Sequence, residues 1–309
     1  SARDKTLKAA LAGLRENIHK GRTLSEAMEE MKGVFPNLLI YMTRTGESSG
    51  RLDELLHKMA EYYGREEELN GKVRAAMTYP VILFSITVMA AVFMLTMVLP
   101  RFASMLQEQE LPWITRMMMR LSFSLCSHGF LYIMLILILM ALFKGILKCP
   151  SVRLQADRAV LYTPIIGKLL RTVYTSRFAS AFAVLYGSGI GILDAMHTVG
   201  RVMGNSYVEK GLAQAAESLK GGVMLSQALE ELNLFQPVLI SMVAAGEESG
   251  ALDMVLEDAG SFYEKEAARA VNQMIALLEP AMILILALVV GSVVMAIMMP
   301  VFNMYSSML

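Results

Sequence analysis

The sequence predicts an all-α membrane protein with two homologous cytoplasmic helical bundles and three transmembrane helices. Three observations carry that prediction. Apolar residues make up 55% of the 309, and the mean hydropathy of +0.48 is high for a soluble chain. Three runs with almost no charge are each long enough for a helix to cross a bilayer core of ~30 Å. Finally, GESSGRLDELL at 46–56 returns as GEESGALDMVL at 246–256, so the chain holds two copies of one unit.

Residues 1–78 form the first cytoplasmic domain, where Leu52, Leu55, Leu56, Met59 and Tyr63 recur at helical spacing. The first span, 79–99 (YPVILFSITVMAAVFMLTMVL), carries no charge. A periplasmic loop, 100–124, sets Arg101, Arg116 and Arg120 against Glu108 and Glu110. The second span, 125–143, holds only His128, near one end. It has no counterpart in the repeat, and it returns the chain so that both domains share one side. Residues 144–280 form the second domain, with Leu252, Val255, Leu256 and Tyr263 repeating the apolar stripe. The third span, 281–299, is uncharged and precedes a tail, 300–309, without a basic residue. Pro80, Pro100, Pro280 and Pro300 stand at the ends of the first and third spans, where proline is best tolerated. Lys72 and Arg74, then Lys144, Lys148, Arg153 and Arg158, then Lys265 and Arg269 flank the spans on one side. That bias places the N-terminus in the cytoplasm and the C-terminus in the periplasm. Small residues on the third span (Ala287, Gly291, Ser292, Ala296) suit close helix approach.

The repeat decides the chemistry of its own turn. An offset of 200 residues carries Tyr63 to Tyr263, Glu66 to Glu266 and Pro80 to Pro280, and 21–36 matches 222–237 after a one-residue gap. Residues 46–50 fit the G-x-S-x-G elbow of serine hydrolases, but Glu248 stands where Ser48 stands in the first copy. Such an elbow also needs a strand leading into it, and NLLIYMTRT carries no strand signal. Ser48 is therefore not a nucleophile. Gly46, Gly50, Gly246 and Gly250 allow a tight helix reversal; Ser49 and Ser249 are candidate caps of the following helix. Asp53 and Asp253 suit that helix's first turn. Glu47 and Glu247 have two readings: turn acids bonding free backbone N–H groups, or contacts to a partner or a divalent cation.

Other chemistry is absent from the pattern. Lys plus Arg balance Asp plus Glu at 28 each, and no basic run is interleaved with aromatics, which disfavours nucleic acid. No Walker A motif occurs; Gly187–Gly191 (GSGIG) follows a helical pattern and reads as a helix-to-helix turn. His19, His57, His128 and His197 lack metal-ligand spacing, and Cys126 and Cys149 fit neither a zinc site nor a disulfide framework. Nothing supports an enzyme. A transport permease or oligomeric pore is the alternative reading; three spans without an intramembrane charge argue against it.

The duplicated F-P…GE-x-S-G-x-LD…L block, the lone LPWITRMMMRLS segment (111–122) and YTPIIGKLLR (162–171) together resemble the type II secretion F family. These are inner-membrane platform proteins of type II secretion, type IV pili and competence pseudopili. The resemblance covers nearly the whole chain. It implies a six-helix bundle in each copy and a non-enzymatic platform that couples a hexameric cytoplasmic assembly ATPase to pilin or pseudopilin subunits. Further implied partners are other inner-membrane assembly proteins, the bilayer and copies of the chain itself. Glu47, Gly50, Leu52 and Asp53, and Glu247, Gly250, Leu252 and Asp253, carry the family signature. The only ligand implied is a structural calcium ion, with Glu47, Asp194 and Glu247 as its candidate ligands. One departure stands out: the counterpart of the stretch from Arg177 to about Gly200 would fall before Ser1, so the first copy is expected to lack its first two helices.

Overall fold

The computed structural model describes residues 5–31, 33–101, 113–146, 149–164 and 166–308, and among these no strand occurs. The first copy folds as α1 (Lys5–His19), α2 (Leu24–Glu30), α3 (Asn37–Ser49) and α4 (Leu52–Phe93), the last followed by a π-helical turn, Met94–Val98. Then come α5 (Trp113–Ile146), α6 (Pro150–Leu161), α7 (Ile166–Tyr186), α8 (Ile192–Val202), α9 (Ser206–Lys220), α10 (Leu225–Glu231), α11 (Pro237–Ser249) and α12 (Leu252–Met308). The GSGIG stretch is the turn between α7 and α8, as its helical flanks predict.

The chain divides into two compact units. One comprises Ser1–Lys72 with Arg153–Val271. Its core is shared by both copies: Leu38, Met42, Leu55, Met59 and Tyr62 lie in one buried cluster with Phe178, Phe182, Met196, Leu212, Leu239 and Leu256. Helix α7 supplies the wall between them, because Phe178, Phe182 and Leu185 repeat at helical spacing and are fully buried. The Phe178 ring lies 5.3 Å from Phe182 and 4.6 Å from Phe235. At the rim of this contact Lys58 Nζ donates to the Gly187 carbonyl at 3.1 Å, and Arg177 pairs with Glu66 at 3.6 Å.

The two copies do not bury the same face. Copy two buries Leu239, Val243, Leu252, Leu256 and Tyr263. Their equivalents at the 200-residue offset are Leu39, Thr43, Leu52, Leu56 and Tyr63, of which only Thr43 is fully buried. Copy one instead buries Leu38, Leu55 and Tyr62, one residue earlier each time, while Thr43 and Val243, and Met59 and Ala259, are buried in both, so the buried face is shifted rather than replaced. Tyr62 is 4% exposed while its equivalent Phe262 is 46% exposed. Copy one turns the apolar face of α4 toward the α7 of copy two, where Lys58 and Glu66 meet Gly187 and Arg177.

The second unit comprises Val73–Val152 with Asn272–Leu309. Among the described residues, two helical stretches, Leu52–Arg101 and Leu252–Ala296, are long and apolar enough to cross a membrane. Residues 125–143 lie inside α5, which kinks at His128; Phe130, Leu135 and Leu139 there are exposed. The helices run on past the prolines expected at span ends. Pro80 lies inside α4 and Pro280 inside α12, both of which continue through them. A proline removes one i→i−4 bond, and the turns on either side keep the remaining ladder intact. At the π turn, where the i→i−4 ladder is interrupted, the buried Ser122 hydroxyl donates to the Leu95 carbonyl at 2.5 Å. Of the small residues on the third span, Ala296 is buried with Val293, Leu95 and Leu99. Ala287 is exposed, and a Cβ on Gly291 would meet nothing. Within this one chain the described close approach lies at one end of that stripe. Cys126 and Cys149 are free and exposed.

Candidate functional site: the paired acidic turns

The two GE-x-S-G turns have the same backbone. Helices α3 and α11 end at Gly50 and Gly250 in the left-handed region, with φ of 71° and 70°. The following N–H of Arg51 donates back to the Gly46 carbonyl at 3.0 Å, and that of Ala251 to Gly246 at 3.1 Å. This Schellman pattern satisfies carbonyls that a helix end leaves open. Gly46 and Gly246 serve a different need. A Cβ on Gly46 would sit 2.9 Å from the Leu52 Cα, and one on Gly246 3.1 Å from the Leu252 Cα. The second helix of each hairpin therefore packs directly on the first one's backbone. Gly46→Ala is expected to lower stability by about 1–3 kcal/mol, read as a lower thermal midpoint in detergent.

Glu47 and Glu247 point away from their own turns, each to the start of another helix. Glu47 accepts hydrogen bonds from the Leu24 N–H at 2.5 Å, the Ser25 N–H at 3.2 Å and the Ser25 hydroxyl at 2.6 Å. Glu247 accepts from the Leu225 N–H at 2.6 Å and the Ser226 N–H at 2.9 Å. A carboxylate at a helix N-terminus fills open donors and meets the positive end of the helix dipole. Copy one adds a capping box: Thr23 accepts from the Glu26 N–H at 3.3 Å, and Glu26 accepts from the Thr23 N–H at 3.1 Å. The T-x-x-E spacing is the sequence signal for this box. Copy two has Met224 at the cap position and makes no side-chain cap bond, so Glu247 acts without that support.

The serines take different roles from those their positions suggest. Ser49 Oγ donates to the Thr45 carbonyl at 2.7 Å, and Ser249 Oγ to the Ala245 carbonyl at 2.7 Å. Both bond back into the helix they end; neither caps the next, because the αL glycine turns the chain away before that helix begins. Ser48 likewise donates to the Thr45 carbonyl at 3.0 Å, on a helix rather than a strand-fed elbow.

Residues 1–100 and 178–300 match the family described as type II secretion system (T2SS), protein F. The chain belongs to that family. Protein F relatives include the type IV pilus assembly protein PilC of Thermus thermophilus, 36% identical over 96% of this chain and 74% of its own length. The type II secretion system protein F of Vibrio cholerae is 33% identical over 98% of the chain and 75% of its own length. The type 4 fimbrial assembly protein PilC of Pseudomonas putida is 34% identical over 96% and 75%.

Among the described residues the remaining signature residues are not gathered around Glu47 or Glu247 as a ligand set. Asp53 and Asp253 are exposed in the first turns of α4 and α12. Leu252 is buried and Leu52 half-buried. Asp194 lies in the first turn of α8, where burial and then the Asp194 charge push the Tyr41 phenol up. Calcium takes six to eight oxygen ligands. Among the described residues no group of three or more His, Cys, Asp or Glu side chains is placed to hold a metal. In the structure Glu47 and Glu247 are each engaged by backbone N–H groups at a helix start.

Burial alone would raise the Glu47 carboxyl, but the Ser25 hydroxyl and the Leu24 and Ser25 N–H groups outweigh it and hold it below the usual carboxylate range. A depressed folded value means the contribution is present above the unfolded value, about 4.3, and is lost as pH falls through the folded one. The thermal midpoint is therefore expected to fall more steeply on acidification in the wild type than in Glu47→Gln. Equal slopes would contradict the bonding.

Proposed function

We propose that the chain is a non-enzymatic inner-membrane platform coupling a cytoplasmic hexameric assembly ATPase to the assembly of pilin or pseudopilin subunits. The supporting observation is that relatives named for type II secretion and for type IV pilus assembly both align with nearly the whole chain. In this reading residues 1–78 and 144–280 face the cytoplasm and meet the ATPase. The spans at 79–99, 125–143 and 281–299 meet the bilayer, the pilin subunits and other assembly proteins. The loop at 100–124 and the tail at 300–309 are periplasmic, and the chain works as a homo-oligomer. The shared core of the two copies supports a scaffold that transmits motion as one body. The charge bias at the span ends supports the orientation.

The experiment is a pull-down of the detergent-solubilised chain against its host's assembly ATPase, paired with ion flux in liposomes. Specific ATPase binding without flux is expected. Flux without binding would replace the platform with a pore.

A further inference from the structure

Charge is balanced over the whole chain, 28 against 28, but not locally. From 144 to 171 the sequence carries Lys144, Lys148, Arg153, Arg158, Lys168 and Arg171 against one acid, Asp157. That acid is occupied: its carboxylate accepts from the Ser206 N–H at 2.8 Å and lies 3.8 Å from Arg153. Among the described residues no carboxylate lies within ion-pair distance of Arg158, Lys168 or Arg171. Arg158 instead lies 5.8 Å from the centre of the Tyr162 ring and 5.6 Å from that of Tyr207, and Arg171 lies 5.0 Å from Tyr162. Ring-stacked guanidinium groups keep edge N–H donors open to an anion. Beside Tyr162 lies a cleft of about 400 Å³ with Lys168 and Arg171 on one side and Phe235 and Pro237 on the other. A neighbouring cleft adds Lys210 and one acid, Glu231. Apolar surface is exposed within the same stretch: Val160 is 43%, Tyr162 49% and Ile166 43% exposed.

We propose that the corner between α6 and α7 binds anionic phospholipid headgroups, with Arg158, Lys168 and Arg171 on the phosphate and Val160, Tyr162 and Ile166 at the acyl boundary. Basic residues flanking exposed apolar and aromatic side chains are the signature of an interfacial membrane contact. The stretch 144–171 follows the span at 125–143 directly in sequence, and its six basic residues against one acid suit an anionic bilayer surface as the occupant. The inference rests on the reading of 125–143 as a membrane span.

The test uses the full chain with Trp113→Phe, so that a tryptophan at one chosen site is the only one present. Tyr162→Trp is reconstituted into brominated phosphatidylcholine vesicles with and without phosphatidylglycerol. Leu139→Trp, in α5, is the control for the span. Quenching at 162 is expected to be strong with phosphatidylglycerol, weak without it, and reduced by salt. Each basic residue near an anionic surface strengthens attachment about fivefold. Arg158→Gln/Arg171→Gln should therefore weaken it roughly 25-fold. Quenching at 139 but not at 162 overturns this inference alone; absence at both sites overturns the span reading beneath it. An emission change in detergent with inorganic phosphate alone would make the corner a soluble-anion site. Shielding at 162 only when an acidic protein is added would make it a protein contact. Either outcome overturns the lipid assignment.

Discussion

Replacing Tyr62 with alanine is expected to lower stability by about 3–5 kcal/mol, the range for removing a fully buried aromatic side chain. Phe262→Ala, at the same place in the other copy, should change it by about 1 kcal/mol or less. The difference follows from the shifted faces: Tyr62 is 4% exposed and Phe262 46%. Phe182→Ala, fully buried on the shared wall of α7, should fall in the larger class. Thermal midpoints in detergent would separate the classes, since each kcal/mol moves the midpoint of a unit this size by roughly 2–4 °C. Equal losses at 62 and 262 would mean that the copies fold with equivalent cores. That would remove the single body on which a motion-transmitting scaffold depends.

The second large effect concerns the acidic turns. Glu247→Ala is expected to destabilise by about 1.5–3 kcal/mol, the range for bonds to a charged group. Glu47→Ala should cost less, about 1 kcal/mol, because Thr23 and Glu26 still cap the same helix. Lysine at 247 should add about 0.3–1 kcal/mol by setting an ammonium against the positive end of α10. The order matters more than the sizes: the copy with Met224 at its cap depends more on its glutamate. A larger loss at 47 than at 247 would contradict this.

Much of the architecture was legible in the residues. The apolar runs and the 200-residue repeat point to helices throughout, and Glu248 opposite Ser48 argues against a nucleophile at that turn. What escaped was long-range. The donors to Glu47 are 22 and 23 residues away, so the turn's local pattern allowed a bonding role without naming the helix it caps. The shifted face of copy one also has no local cause. Leu38 and Leu39 are equally apolar, and only packing against copy two, which α3 meets at α8, decides which is buried. Pro80 does not end α4, because a long helix with an intact ladder on both sides tolerates a proline. Ser49 misled, since a serine beside a turn suits a cap of the next helix as well as a bond back into the previous one.

The bonds of Glu47 and Glu247 to helix starts favour turns that build the scaffold over turns that touch a partner. Glu47→Ala/Glu247→Ala tests this when unfolding and ATPase binding are measured on the same preparation. A lowered thermal midpoint, with binding retained well below it, is the predicted result. An unchanged midpoint with binding lost would make the glutamates contact residues and contradict the account.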